Sequence, residues 1–118
     1  MPALVVRNPD RNSTLGIRVG VADSPWSRLR GLLGRDALSP GEGLMLMPCR
    51  AIHMYGMRFA IDVAFLDPEG RVVATYDTIR PGDRTRVHKD ARYALEVPAG
   101  TLAETGTRPG DTLEWEIR

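Results

Sequence analysis

An antiparallel hairpin is encoded in the middle of the chain, and it commits the chain to a fold built on a β-sheet. In residues 60–66, apolar side chains alternate with a second set at the two-residue period of a strand. Residues 67–70 read Asp-Pro-Glu-Gly, with proline and glycine where a type I turn favours them. So short a turn predicts that residues 71–79 return as an antiparallel partner strand.

Other stretches share this strand-like character, either as alternation or as short apolar runs closed by turn residues. They are residues 4–6, 17–21, 44–47, 85–89, 93–97 and 112–117. We expect the first to be an edge strand and residues 44–47 to be buried on both sides. About seven short strands separated by proline- and glycine-containing turns predict a mainly β (α+β) domain that is compact and barrel-like.

One short helix is predicted after the second strand. Asp23 or Ser24 can cap it, Pro25 suits the first helical position, and Gly34 suits its end. Apolar side chains recur between these points at helical spacing, which predicts a face that leans on the sheet. They are Trp26, Leu29, Leu32 and Leu33. Residues 101–105 have the composition of a single helical turn.

The length of 118 residues predicts one domain, residues 1–118. Sixteen basic and fifteen acidic residues give a net charge of +1, so we expect no strong attraction to nucleic acid or to a membrane surface. The sequence has neither a membrane-length apolar run nor an N-terminal apolar segment, and we therefore expect a cytoplasmic protein. No glycine motif indicates a nucleotide, and no cofactor is predicted.

The only cysteine lies four residues before one of the two histidines. Cys49 and His53 fall on the same side of either a strand or a helix, so the thiol and the imidazole could meet. A thiol beside an imidazole can ionise and act as a nucleophile, with Asp62 or Glu96 as the residue that orients the histidine. The competing interpretation is a small buried thiol beside an unrelated histidine.

A metal site is not predicted. Zinc sites use three or four cysteine, histidine or carboxylate ligands. The chain offers Cys49, His53 and His88, and the last is far along the sequence. The methionines near the cysteine, including Met54, are interpreted as side chains that fill the core.

Asp62 and Glu96 are carboxylates inside otherwise apolar strands. A carboxylate in such a place needs a partner unless it faces solvent. Arg28, Arg35 and Arg58 are candidate partners, and together these groups could form a small polar pocket. An outward-facing polar side of the sheet is the alternative.

The sequence resembles the widespread prokaryotic family known as domain of unknown function 192, over about residues 15–117. The matching motifs are Ser24-Pro25, Arg28, Gly31-Leu32, Arg35, Leu38, Gly43, Met54, Asp62-Val63-Ala64-Phe65-Leu66-Asp67, Gly70-Arg71-Val72, Ala94-Leu95-Glu96, Ala99-Gly100 and Gly110-Asp111. The resemblance implies a small, mainly β domain and supplies no activity, substrate or cofactor.

The chain departs from the family pattern around Met54. Family members usually have Phe-Trp before this methionine, asparagine two residues after it and proline before the strand, and many carry an N-terminal signal segment. Here those places hold Ile52, His53, Gly56 and Ala60. The resemblance therefore implies a variant branch that contains Cys49 and His53 and whose pocket differs in chemistry.

These observations together predict a non-enzymatic domain that binds a small ligand or a protein partner where residues 49–59 meet the helix. The predicted binding residues are Arg28, Arg35, His53, Met54, Arg58, Asp62 and Glu96. Two alternatives stay open: a thiol-dependent enzyme that uses Cys49 and His53, and a structural or interaction module.

Overall fold

The computed structural model describes residues 3–118 and contains seven strands and two short helices. The strands are β1 (Leu4–Asn8), β2 (Ser13–Ala22), β3 (Glu42–Leu46), β4 (Ile61–Leu66), β5 (Val72–Ile79), β6 (Tyr93–Pro98) and β7 (Glu114–Ile117). The helices are α1 (Pro25–Arg30) and α2 (Thr101–Thr105), and a 3-10 turn spans Pro9–Arg11. The predicted mainly β architecture of about seven short strands is confirmed.

All seven strands belong to one sheet in the order β5-β4-β6-β3-β2-β1-β7. Neighbouring strands are antiparallel except β2 and β3, which run parallel and are joined through α1. The sheet is not closed, but Arg71 beside β5 pairs with Thr112 ahead of β7, which ties its two edges at one end. The expected hairpin is present as β4 and β5. The first strand is not at an edge, because β1 pairs with both β2 and β7.

The sheet separates two apolar clusters, one on each face. The first contains Val6, Val19, Met45, Leu66 and Leu95, among other side chains. The second lies on the opposite face, under α1 and the segment after β3, and includes Leu32, Leu46, Ile52, Met54, Val63 and Phe65. Every residue of β4 is buried, because this strand contributes alternate side chains to both clusters.

The first helix is shorter than predicted and packs differently. A capping box between Ser24 and Ser27 begins it, as the sequence indicates, but it ends at Gly31, which adopts a φ of +48°. Leu32 is buried in the turn that follows, whereas Trp26 and Leu29 are 70% and 64% exposed. The expectation that these two side chains pack on the sheet is therefore wrong, because six residues give too little helix to bury the whole apolar stripe.

The stretch predicted as a strand at residues 85–89 is not a regular strand. It is instead the partner of residues 48–59, which cover the second face of the sheet. Backbone N–H groups of Cys49, Met54, Thr85 and His88 donate across this pair of segments at 2.7–2.9 Å. These bonds hold an irregular loop in one position without giving it the geometry of a strand.

Asp62 binds backbone amides and not arginine. Its carboxylate accepts hydrogen bonds from the N–H groups of Thr78, Gly100 and Leu102 at 2.8–3.0 Å. Thr78 has a φ of +53° at an irregularity in β5, and the other two amides begin α2. One buried side chain therefore joins β4, β5 and α2, and the predicted pairing of Asp62 with Arg35 or Arg58 is wrong.

Among the described residues, no helix has the length and apolar character that crossing a membrane requires.

Replacement of Asp62 by alanine should lower the free energy of unfolding by about 3 kcal/mol, because three amides lose a charged acceptor. Urea denaturation of the variant and the parent measures this difference. Asp36→Ala is the matched control, since Asp36 is exposed and pairs only with Arg58 in solvent. Equal losses in the two variants would contradict this role for Asp62.

Candidate functional site

A hollow of about 330 Å³ lies between α1 and residues 48–57, above the second face of the sheet. Its walls are mainly apolar, and the side chains that form them include Leu32, Leu46, Ile52, Met54 and Met57. Its charged lining residues are Arg28, Arg30 and Glu96. The volume is at the small end of the range for sites that hold a small molecule.

Glu96 is a buried carboxyl at this hollow. In β6 it lies opposite Leu44 of β3 and Val63 of β4, so its neighbours across the sheet are apolar. The residue is only 6% exposed. No group within residues 3–118 forms a hydrogen bond or ion pair with its side chain. Burial raises the pKa of Glu96 to about 8, so the carboxyl is mostly protonated at neutral pH.

Cys49 lines the same hollow, and its thiol donates a hydrogen bond to the carbonyl oxygen of Ala51 at 3.1 Å. Burial raises the pKa of Cys49, and the charge of Glu96 adds to this rise. The interaction of the thiolate with the backbone of Ala51 and the charge of Arg28 offset only part of this rise. The thiol is therefore held in its neutral form, which is a poor nucleophile.

His53 lines the hollow at its solvent-exposed side. It is exposed, and its ring stacks on Tyr55 with 5.0 Å between ring centroids. Its backbone pairs with that of Arg84. Within the described part of the chain, no hydrogen bond joins His53 to Cys49. Both residues line one hollow, but the arrangement is not that of a nucleophile and its base.

The other predicted binding residues divide into two groups. Arg28 lines the hollow and donates a long hydrogen bond of 3.5 Å to the carbonyl oxygen of Met47. Arg35 and Arg58 form surface ion pairs with Glu42 and Asp36 at 3.0 and 2.8 Å. Asp62 lies on the opposite face of the sheet, as the alternation along β4 requires. The hollow thus brings together Arg28, His53, Met54 and Glu96 from the predicted set.

Residues 3–118 contain no cluster of three histidine, cysteine or carboxylate side chains that could hold a metal ion. His88 is buried elsewhere, with its Nε2 atom 2.7 Å from the Tyr76 hydroxyl and its ring against Phe65. Burial lowers the pKa of His88.

Some lining residues were not predicted from the sequence. Arg30, Leu32, Tyr55 and Met57 line the hollow together with the predicted residues. The resemblance already included Leu32, and Met57 was interpreted only as core. No sequence signal indicates that Arg30 and Tyr55 reach the same hollow, because their approach depends on where the helix ends and how the loop crosses it.

Similarity to known proteins covers nearly the whole chain. The family model DUF192, described as "Uncharacterized ACR", matches residues 6–115. The chain is 32% identical over 108 residues to a UPF0127 protein of Thermococcus sibiricus, covering 85% of this chain and 67% of that protein. It is 31% identical over 117 residues to a UPF0127 protein of Pyrococcus abyssi, covering 94% and 97%.

A solved structure from Novosphingobium aromaticivorans, described as a protein of unknown function, has the same fold with a TM-score of 0.82. The sequence identity is 22%, and the match covers 98% of this chain and 84% of that one.

Cys49 should react slowly with iodoacetamide at neutral pH, because its pKa lies above that of an ordinary thiol. A variant with Ala37→Cys in a Cys49→Ser background offers an exposed thiol for comparison. Cys49 should be alkylated more slowly than the exposed thiol, because a raised pKa lowers the thiolate fraction at neutral pH. Fast alkylation of Cys49 would instead support the thiol-dependent enzyme.

Glu96 should make the protein less stable as the pH rises from about 4.5 to about 8. In this window the unfolded chain releases the proton that the folded protein retains, so ionisation favours unfolding. Glu96→Gln removes the titration, and its stability relative to the parent should therefore increase across the window.

Thermal denaturation between pH 5 and pH 9 measures this effect. Glu104→Gln, an exposed site on α2, is the control and should follow the parent. Parallel curves for Glu96→Gln and the parent would contradict the burial of a protonated carboxyl.

Proposed function

Because the chain belongs to the DUF192 family, which is described only as uncharacterized, we propose from its own side chains that it is a non-catalytic binding domain. The hollow between α1 and residues 48–57 holds a small ligand with a mainly apolar body and one polar group. The observation that carries this proposal is the Glu96 carboxyl, a largely buried group that opens onto an apolar hollow and has no hydrogen-bond partner in the described residues.

A polar group in a mainly apolar environment is stabilised by a hydrogen bond from a partner. Glu96 has no such partner from the two strands beside β6, because Leu44 and Val63 face it there. A ligand whose polar group reaches this carboxyl would supply the missing hydrogen bond. Recovery of that bond would make the apolar hollow selective for molecules with a polar group at the right depth.

The walls are suited to binding because they are held in place before a ligand arrives. Ile52 and Met54 are 6% and 1% exposed and belong to the second apolar cluster, so the loop is part of the core. The backbone of this loop forms hydrogen bonds with the backbone of residues 82–92. A preformed hollow costs little ordering entropy when it is filled.

The thiol-dependent enzyme is less well supported. Catalysis by Cys49 would need a thiolate at neutral pH, and burial acts in the opposite direction. His53 stacks on Tyr55 and makes no hydrogen bond to the thiol in the described part of the chain. The expected cytoplasmic location and the absence of a nucleic-acid partner remain predictions from the sequence.

A protein partner is the second candidate, and one observation favours it. Trp26, Leu29 and Tyr55 are 70%, 64% and 51% exposed, and the last two line the mouth of the hollow. Trp26 and Leu29 are three residues apart in α1 and share one side of it. In this alternative, a partner protein contacts the exposed side chains and inserts one of its own into the hollow.

A fragment library screened by protein-observed NMR tests the small-ligand proposal. Binders should shift the signals of Ile52, Met54 and Met57, and they should slow alkylation of Cys49, which is the only cysteine and lines the hollow. Shifts confined to Trp26 and Leu29 with no protection of the thiol would favour the protein partner. A library without any binder at the hollow would contradict the proposed function.

A further inference from the structure

Resting on the proposed binding function, we infer that the ligand is an apolar carboxylate, held between the guanidinium of Arg28 and the carboxyl of Glu96. The Glu96 O–H donates a hydrogen bond to one ligand oxygen, and Arg28 supplies the opposite charge and further N–H donors. The apolar body of the ligand fills the space between α1 and residues 48–57.

The charge of the side chains that line the hollow favours an anionic ligand. Its lining contains two arginines, Arg28 and Arg30, and one carboxyl, Glu96. The carboxyl is largely buried, faces Leu44 and Val63 across the sheet and has no partner in the described residues, which favours its neutral form. With Glu96 protonated, the lining is positive at neutral pH, and a ligand of complementary charge is an anion.

Arg28 also has hydrogen-bond donors that are available to a ligand. This residue is partly buried beside the hollow, and its Nη1 donates to the carbonyl oxygen of Met47 at 3.5 Å, the outer limit for such a bond. A guanidinium has five N–H donors, so Arg28 retains donors that can turn to a ligand. Arginine is also the side chain whose geometry best matches a carboxylate. Arg35 and Arg58, by contrast, already bind carboxylates at the surface.

A cationic ligand fits these groups less well. Its binding would require Glu96 to ionise next to apolar neighbours. It would also bring the positive charge of the ligand close to the two arginines at the hollow. The other titratable side chains that line the space are Cys49, His53 and Tyr55, and none of them adds a fixed negative charge at neutral pH. A carboxylate ligand fits these groups better, because the protonated carboxyl of Glu96 can donate a short, charge-assisted hydrogen bond to the ionised carboxylate of the ligand.

This inference predicts a pH dependence that has its origin in Glu96. Binding should be strong while the carboxyl is protonated and should weaken once it ionises, because two negative groups would then face each other. The pKa of about 8 places that loss above neutral pH. Glu96→Gln keeps an N–H donor without a charge, so the variant should retain binding and lose the pH dependence.

Three probes with one common body test the inference: 4-phenylbutyrate, 4-phenylbutyramide and 4-phenylbutylamine. Dissociation constants are measured by NMR titration of the full chain at pH 7 and pH 9.5. At pH 7 the carboxylate should bind about ten- to a hundredfold more tightly than the amine, as expected for charge-assisted hydrogen bonds. The amide should lie between them.

Two variants separate the roles of the binding groups. Arg28→Ala should weaken the carboxylate by about tenfold or more, whereas Arg35→Ala, away from the hollow, should leave it unchanged. Glu96→Gln should bind the carboxylate at pH 7 within about threefold of the parent and bind equally well at pH 9.5. Glu104→Gln should keep the parent pH dependence. Melting curves of each variant confirm that it is folded.

Tighter binding of the amine, with its loss in Glu96→Gln, would overturn the inference and assign the hollow to a cation. Equal binding of the amide and the carboxylate would also overturn it, because no charge would then be recognised. Failure of all three probes would count against the apolar carboxylate. The fragment library distinguishes this failure from that of the proposed function, since other binders at the hollow would leave the binding role intact.

Discussion

Burial of the central sheet on both faces is the constraint on which the structure depends. β4 has no exposed residue, so each of its faces must be covered by something other than solvent. The first face is covered by the sheet's own curvature and by α2, which contributes the buried Leu102. The second face is covered by a six-residue helix, the turn that follows it, the irregular residues 48–59 and residues 85–91. A cover made from such short segments closes the core but leaves a hollow between α1 and residues 48–57.

Asp62 and Glu96 are buried carboxyl groups on opposite faces of this sheet, and they differ in whether the protein supplies a hydrogen-bond partner. Asp62 accepts three backbone hydrogen bonds and joins three elements of the fold. Glu96 has no partner in the described residues, and burial raises its pKa to about 8. A carboxyl group therefore joins elements of the scaffold in one place and lines the hollow without a partner in the described residues in the other. The difference arises from the neighbours, since backbone amides face Asp62 and apolar side chains face Glu96 across the sheet.

The position of the site was partly accessible from the sequence. The concentration of reactive and soft side chains in residues 49–59 indicates a segment that lines the hollow, and the spacing in α1 indicates the element opposite it. Arg28, His53 and Glu96, which belong to the predicted binding residues, line this hollow, and their role in binding stays a prediction. Arg35 and Arg58 were selected on charge alone, and charge does not indicate which carboxylate a long side chain on the surface will meet.

The sequence by itself determined the fold class and the central hairpin, because strand period and turn chemistry are local properties. Only the tertiary structure decided that β2 and β3 run parallel, that residues 85–89 support the loop without forming a strand, and that Asp62 and Glu96 face opposite ways. These features depend on contacts between distant segments, and local pattern does not specify which segments meet. The hollow is such a feature, since its walls come from α1 and from residues 48–57, which are separate in the sequence.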